Sequence, residues 1–210
     1  MKKLLSILFA LVNLSVYSQF ITSVAGGPST QSSETPGVFN QTVSEQKNTA
    51  YVFGDTTGFK NDDNKEYVYR AADPTTSAAC HSGIIFDPVT IPQGATITTA
   101  YIEIEANYQS EQDAYFTLYG NDVDDAADFT VEQEILERTR TTASVVFEGE
   151  NLPMAYWGSA VEIKTIIQEI VDRPGWATGQ AMCFLLITSA GTVKKFRYGE
   201  QCRIHIEYSE

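Results

Sequence analysis

The sequence predicts an all-β protein, an antiparallel β-sandwich of the jelly-roll kind with one amphipathic helix near residues 160–172. The segment Ile91–Ala106 alternates apolar and polar side chains after a Pro-Gln-Gly turn, which indicates a strand with one buried face. Short strand patterns then recur along the chain between turn-rich links. The apolar period changes to that of a helix once, near residue 160.

The first 18 residues have the pattern of a secretory signal peptide. Lys2 and Lys3 form a basic start, and the apolar stretch Leu4–Leu14 follows. This stretch is too short for a membrane span. We therefore expect a secreted protein, extracellular or periplasmic, without membrane insertion.

Acidic residues dominate the composition. Asp and Glu number 27 against 14 Lys and Arg, which gives a formal net charge of -13. Nucleic acids are bound mainly by Lys and Arg at the phosphates, so this charge argues against a nucleic-acid partner. With 43% hydrophobic residues, the chain is expected to form one domain with a sizeable core.

The polar stretch 19–48 is interpreted as a linker or N-terminal arm, with an edge strand through Gly37–Val43 as the alternative. The jelly-roll domain is assigned to residues 49–210. Its predicted strands are Thr49–Phe53, Glu66–Ala71, Gly83–Phe86, Thr99–Ala106, Ala114–Tyr119, Ala143–Phe147, Ala181–Thr188, Val193–Tyr198 and Cys202–Tyr208.

The predicted helix rests on apolar residues at helical spacing. They are Val161, Ile163, Ile166, Ile167, Ile170 and Val171. Ser159 and Glu162 form a capping-box pattern, and Asp172–Gly175 ends the run. The next strand, Ala181–Thr188, is apolar on both parities, which indicates a central strand covered on both faces. The helix is one candidate for such a cover.

Three cysteines in an oxidising compartment allow at most one intramolecular disulfide. Cys183 lies in an apolar run and is interpreted as a small buried hydrophobe. Cys80 with Cys202 is therefore the preferred pair. All three pairings stay open, because a bridge needs Cα atoms within about 7 Å of each other.

Four segments, in this order, resemble a module of secreted bacterial proteins. They are Ile91–Ala106, Arg138–Val145, Ile166–Trp176 and Arg203–Tyr208. Over Tyr51–Tyr208 the chain resembles the DNRLRE and disaggregatase-repeat group of carbohydrate-binding-like jelly rolls. The resemblance implies a β-sandwich, mostly an accessory part of larger extracellular proteins, and association with carbohydrate. Here the module makes up nearly the whole mature chain, which weakens the accessory interpretation, and no catalytic residue is carried over.

Aromatic and acidic side chains on the predicted strands and loops form the candidate ligand-binding set. Its members are Tyr101, Glu103, Glu105, Tyr115, Tyr119 and Trp157. Flat sugar faces stack on aromatic rings, and carboxylates accept hydrogen bonds from hydroxyls. The parities of the three tyrosines allow one patch on one sheet face; the alternative is that they pack under neighbouring side chains. Trp176, directly after the helix stop, is expected to be structural.

Clustered acidic residues in a loop are candidate calcium ligands, because calcium takes six to eight oxygen ligands. These residues are Asp122, Asp124 and Asp125. Their run does not match the EF-hand pattern, so a solvated acidic loop is the default and no other cofactor is expected.

Catalytic patterns are sparse. The chain holds two histidines, His81 and His205, without an HExxH or paired CxxC pattern, which argues against catalytic zinc. His205 alternates with Ile204 and Ile206 and is expected on the solvent face of its strand. Glu103 and Glu105 could form a carboxylate pair of the kind that glycosidases use.

The leading hypothesis is a secreted, non-catalytic carbohydrate-binding-like module that binds a glycan or cell-surface polymer through aromatics on a sheet face and in loops. The alternative is a structural or adhesive extracellular protein that acts by protein contact. A small polysaccharide-active enzyme is the third hypothesis. The oligomeric state stays open.

Overall fold

Ten strands and two short helices make up the described part of the chain. The computed structural model describes residues 35–43, 49–53, 80–106, 115–130, 134–148, 156–157, 160–188 and 199–210, with the backbone alone at 51–53, 80, 105–106, 115, 147–148, 156–157 and 199–200. The strands are β1 (Pro36–Val43), β2 (Thr49–Phe53), β3 (Cys80–Phe86), β4 (Thr96–Ala106), β5 (Tyr115–Asn121), β6 (Arg140–Glu148), β7 (Tyr156–Trp157), β8 (Val161–Glu162), β9 (Met182–Ile187) and β10 (Gly199–Ser209). The helices are α1 (Glu134–Glu137) and α2 (Lys164–Val171).

The strands form two antiparallel sheets that pack against each other. Sheet A has the order β1-β10-β4-β7, and β8 also pairs with β4; sheet B has the order β2-β3-β9-β5-β6. The chain crosses repeatedly between the sheets, and the first described strand pairs with the last, as in a jelly roll. The predicted all-β sandwich with few helices is confirmed.

The main core lies between the two sheets. Ile102 of β4, Phe184 of β9 and Ile166 of α2 belong to it. Helix α2 contacts β4 of sheet A and both β5 and β6 of sheet B, so it spans the two sheets along one side of the sandwich. Trp176, which follows α2, is 2% exposed, and its Nε1–H donates to the carbonyl oxygen of Ile91 at 3.0 Å. The structural role expected for this tryptophan is confirmed.

Two neighbouring polar side chains of α2 bind the backbones of both sheets. Gln168 Oε1 accepts a hydrogen bond from the N–H of Ile97 on β4 at 2.9 Å. The Glu169 carboxylate accepts hydrogen bonds from the N–H groups of Thr142 and Ala143 on β6 at 2.7 and 2.8 Å. Backbone donors without a neighbouring strand need such partners, so α2 provides acceptors for one strand of each sheet: β6 at its outer edge, and β4 before the residues that pair with β8.

Strand β9 is covered on both faces, as predicted for Ala181–Thr188. Phe184 faces the main core, which includes residues of α2. Cys183 and Leu185 belong to a second apolar cluster on the outer face of sheet B, where Ile135 of α1 covers them. Burial on both sides explains why this strand lacks the alternation of β4.

Helix α2 begins later than predicted. Ile163 is its N-cap residue and makes no side-chain capping hydrogen bond. The capping box of Ser159 and Glu162 is therefore wrong: Glu162 belongs to β8, which pairs with β4, and Ser159 lies outside the described residues. The Glu162 carboxylate still serves the helix, because it accepts the N–H of Lys164 at 3.0 Å.

Strand β1 corrects the predicted start of the domain. Residues 19–48 were interpreted as a linker or arm, but Pro36–Val43 pairs with β10 along its whole length. Phe39 and Val43 share a parity and enter the main core, so burial holds this segment on the sandwich. This segment is thus the edge strand given above as the alternative to a linker or arm.

Several interpretations fall outside the described residues. They are the signal peptide 1–18 and the predicted strands Glu66–Ala71 and Val193–Tyr198. Neither of the helices in the described ranges is long and apolar enough to cross a membrane.

The turn before β4 has a conformation that favours glycine. Gly94 has a φ of 69°, and a Cβ at this position would meet no atom within 4 Å. We expect Gly94→Ala to lower the free energy of unfolding by about 1–2 kcal/mol through backbone conformation alone. Urea denaturation measures this loss. Gly94→Asn is the control, since asparagine tolerates the left-handed region; an equal loss in both variants would contradict this explanation.

Candidate ligand-binding site

The outer face of sheet A carries an open groove of about 310 Å³. Its lining residues are Asn40, Gln41, Thr42, Tyr101, Glu103, Arg203, Ile204 and His205. Strand register arranges six of these residues in two rows across β1, β10 and β4, namely Asn40, His205, Tyr101 and Thr42, Arg203, Glu103. Residues in register across antiparallel strands project from the same face, so the sheet itself positions these side chains.

One row is organised by a two-bond ion pair. Arg203 Nε lies 2.6 Å from Glu103 Oε2, and Arg203 Nη2 lies 3.0 Å from Glu103 Oε1. The Glu103 side chain is 15% exposed and that of Arg203 is 42% exposed, so the carboxylate lies deeper than the guanidinium. Glu103 is predicted to accept hydrogen bonds from hydroxyls. Both of its carboxylate oxygens already accept one from Arg203, so only their remaining lone pairs are available to a hydroxyl. The fork fixes the orientation of both groups.

The second row is organised by stacked rings. The Tyr101 and His205 rings are stacked with centroids 4.8 Å apart and planes 27° apart. His205 lies on the outer face, as expected, but its side chain is only 21% exposed. One face of the Tyr101 ring is therefore occupied by His205, and only the other face remains for stacking by a sugar.

Gln41 shares the parity of Phe39 and Val43, so its side chain lies on the inner face of sheet A and not among the outward side chains of the groove. Its Nε2 donates to the carbonyl oxygen of Asp87 at 2.8 Å. Its Oε1 is buried and has no hydrogen-bond partner among the described residues. A buried acceptor in this state costs about 1–3 kcal/mol.

The predicted patch of three tyrosines is wrong. Tyr101 belongs to β4 of sheet A, whereas Tyr115 and Tyr119 belong to β5 of sheet B. The connection between β4 and β5 crosses from one sheet to the other, so these strands are consecutive in sequence without being neighbours. Tyr119 packs against the outer cluster of sheet B, with the Arg140 guanidinium 5.3 Å from its ring centroid. The side chain of Tyr115 lies outside the described part.

Glu105 and Trp157 are neighbours in the backbone register of β4 and β7. Glu105 shares the parity of Glu103 and Tyr101 on β4. Trp157 therefore belongs to the strand next to β4 on the side away from β10, beside the three strands that carry the groove. The side chains of Glu105 and Trp157 lie outside the described residues, so the Glu103 and Glu105 pair is untested.

The residues considered for calcium are engaged within the protein. Arg173, in the loop after α2, forms ion pairs with Asp122 and Asp124, the latter at 2.7 Å, and the hydrogen bond to Asp124 is the largest cause of its raised pKa. Asp125 Oδ1 accepts the N–H of Ala181 at 2.8 Å. Within the described ranges no group of three His, Cys, Asp or Glu side chains is arranged to hold a metal. The calcium interpretation of these three residues is thus corrected: their carboxylates bind Arg173 and a backbone N–H instead of a metal ion.

The predicted disulfide between Cys80 and Cys202 is contradicted. Cys202 is a free, buried thiol on β10 of sheet A, whereas Cys80 belongs to β3 of sheet B. Cys183 is also free and buried, which confirms it as a small buried hydrophobe. Burial raises the pKa of Cys183 to about 12 and also raises the pKa of Cys202.

Sequence reasoning found Tyr101 and Glu103 but missed their partners in the groove. The alternation of Arg203 and His205 with buried isoleucines placed them on one face, and this was the available signal. Asn40 had no such signal, because its strand was interpreted as part of an arm. No protein-family model matches the chain, and no curated protein matches it either.

Proposed function

We propose that the protein is a secreted, non-catalytic module that binds a carbohydrate or cell-surface polymer in the groove of sheet A. The observation that carries this proposal is an open groove whose planar polar side chains are held in register on three neighbouring strands. Sugar hydroxyls both donate and accept hydrogen bonds. An amide, an imidazole and an arginine–carboxylate fork offer partners of both kinds within one sugar-sized volume.

Preorganisation of the groove favours binding. The Arg203–Glu103 fork and the Tyr101–His205 stack hold four side chains before any ligand arrives. Binding then costs less side-chain entropy than it would on a surface of free rotamers. The resemblance to the DNRLRE and disaggregatase-repeat group favours the same ligand class.

The proposal is tested by retention on a panel of immobilised polysaccharides. We expect Tyr101→Ala and Arg203→Gln each to weaken retention about tenfold or more, since the loss of about 1.4 kcal/mol of binding is tenfold in affinity. Arg140→Gln is the matched control, because it removes an arginine from the outer face of sheet B. Urea denaturation of each variant separates lost binding from lost folding.

Two results would overturn the proposal. One is wild-type protein that is retained on none of the polysaccharides. The other is retention that Arg140→Gln reduces as much as Arg203→Gln does.

A second function, contact with another protein, is favoured by strand β1. This strand is an outer strand of sheet A among the described residues, with β7 and β8 at the opposite side, and none of its eight residues is charged. Its Val38 side chain is 59% exposed. Natural edge strands commonly carry charges that block pairing with further strands, and an uncharged edge accepts a partner strand more readily.

Light scattering over a range of concentrations tests this second function. We expect wild-type protein, alone or with cell-envelope material, to associate as concentration rises, and Val38→Lys to stay monomeric. The control is Val146→Lys, which places the same charge at an exposed valine of sheet B. A monomeric wild type under both conditions contradicts the idea.

A further inference from the structure

Both ring nitrogens of His205 face oxygen atoms. Nδ1 lies 2.7 Å from Asn40 Oδ1, and Nε2 lies 3.3 Å from Glu207 Oε1. An ionised carboxylate and an amide oxygen only accept hydrogen bonds, so both contacts are hydrogen bonds only when both nitrogens carry a proton.

The two partners respond differently when the ring loses a proton. The Glu207 carboxylate has no donor to offer, so Nε2 must keep its proton to hold that contact. The Asn40 amide has a donor as well as an acceptor, and rotation by half a turn brings its Nδ2–H to the unprotonated Nδ1. Asn40 is exposed, which leaves space for this rotation.

We infer that the protonation state of His205 sets which end of the Asn40 amide faces the groove. This inference rests on the proposed binding site. With His205 charged, Asn40 keeps its oxygen on the imidazolium and presents its NH2 group, which binds acceptors such as the carbonyl of an N-acetyl sugar. With His205 neutral, Asn40 presents its oxygen, which binds hydroxyl donors. Asn40 is thus a specificity-determining residue of the groove.

The charges around His205 come from two strands. On β10 they are Arg203 and Glu207, and on β4 Glu103 lies diagonally opposite with its carboxylate held by Arg203. Tyr101 of β4 stacks on the ring. Strand β1 contains no ionisable side chain, and it contacts the ring through the uncharged amide of Asn40.

Nuclear magnetic resonance of the ¹⁵N-labelled protein tests the switch without any ligand. The chain holds two histidines, so His81→Gln leaves His205 as the single imidazole. Histidine side chains change charge between about pH 5 and 8. Over that range we expect the neutral ring to carry its proton on Nε2. The chemical shifts of the Asn40 side-chain amide should change as the ring gains or loses its second proton. The inference would be overturned by a neutral ring protonated on Nδ1, or by Asn40 amide chemical shifts that stay constant as the ring ionises.

Asn40→Asp provides the matched variant, because aspartate has the same shape but only accepts. We expect the neutral ring to lose its preference for the Nε2 proton in this variant, since hydrogen-bond acceptors then lie at both ring nitrogens. A neutral ring that keeps the wild-type preference would contradict direct contact between the two side chains.

The binding consequence is measured with two immobilised probes, an N-acetylated chitooligosaccharide and a cello-oligosaccharide. We expect the ratio of their affinities to fall about tenfold from pH 5 to pH 8 in the wild type and to stay constant in Asn40→Asp. A constant ratio in the wild type, with measurable binding, overturns the specificity role. If neither probe is retained while the resonance data show the rotation, glycan binding at the groove fails for these sugars and the switch itself is upheld.

Discussion

Replacement of Trp176 by alanine is expected to lower the free energy of unfolding by about 3–5 kcal/mol. The indole is 2% exposed and belongs to the core between the sheets. Its loss removes apolar contacts, leaves a cavity beside α2, and strips the carbonyl oxygen of Ile91 of its indole donor. The three costs fall at one place, which makes this the largest single-residue effect on stability that we expect.

Urea denaturation measures the loss, and two variants resolve it. Trp176→Phe keeps an aromatic ring but not the donor, so we expect an intermediate loss of about 1–3 kcal/mol. Val146→Ala, at a side chain that is 64% exposed, is expected to change stability by less than about 0.5 kcal/mol. A Trp176→Ala protein as stable as Val146→Ala would show that the indole is not part of the core.

Cys183 and Cys202 are expected to resist alkylation in the folded protein. Burial raises the pKa of Cys183 from 9.0 to about 12, and the pKa of Cys202 also rises. At pH 8 the thiolate fraction of Cys183 is then about a thousandth of that of a free thiol, and the thiolate is the reactive form. Iodoacetamide labelling in a Cys80→Ser background should modify these thiols only after denaturation. Fast labelling of the native protein would contradict their burial.

The same thiols make stability fall at high pH. Above pH 9 the unfolded chain releases the thiol proton of Cys183, whereas the folded protein holds it until about pH 12. The folded state therefore binds more protons in this window, and its stability falls by about 1.4 kcal/mol per pH unit for this thiol. Denaturation curves between pH 8 and 11 should show a shallower fall in Cys183→Ala than in the parent protein. Equal slopes would contradict the raised pKa.

Local patterns predicted the strands well because burial of one face leaves a period of two in the sequence. The alternation in Ile91–Ala106 and the two-sided apolar run before Thr188 both correspond to strands with the expected burial. The helix was also predicted, but its start was not. Val161 and Glu162 fit a helical period as well as a strand, and pairing with β4 decided between them.

The groove was largely beyond prediction because it depends on which strands become neighbours. Tyr101 and Tyr119 belong to consecutive predicted strands, and nothing in their local sequence states that the chain crosses between sheets there. His205 and Asn40 meet although 165 positions separate them. Such a pair follows from register, which the alternation of one strand does not encode.

The position of β10 has a consequence for how the chain acquires its fold. This strand, the last one described in sequence, lies between β1 and β4 in sheet A. While the chain is being synthesised, β1 and β4 have no strand to join them, and His205 and Arg203 are still missing from the groove. Sheet A and its groove must therefore assemble late and from distant parts of the chain, which is the slow, non-local kind of folding. A chain stopped a few residues before Cys202 would lack the middle strand of both rows, so the groove takes shape only after β10 has been synthesised.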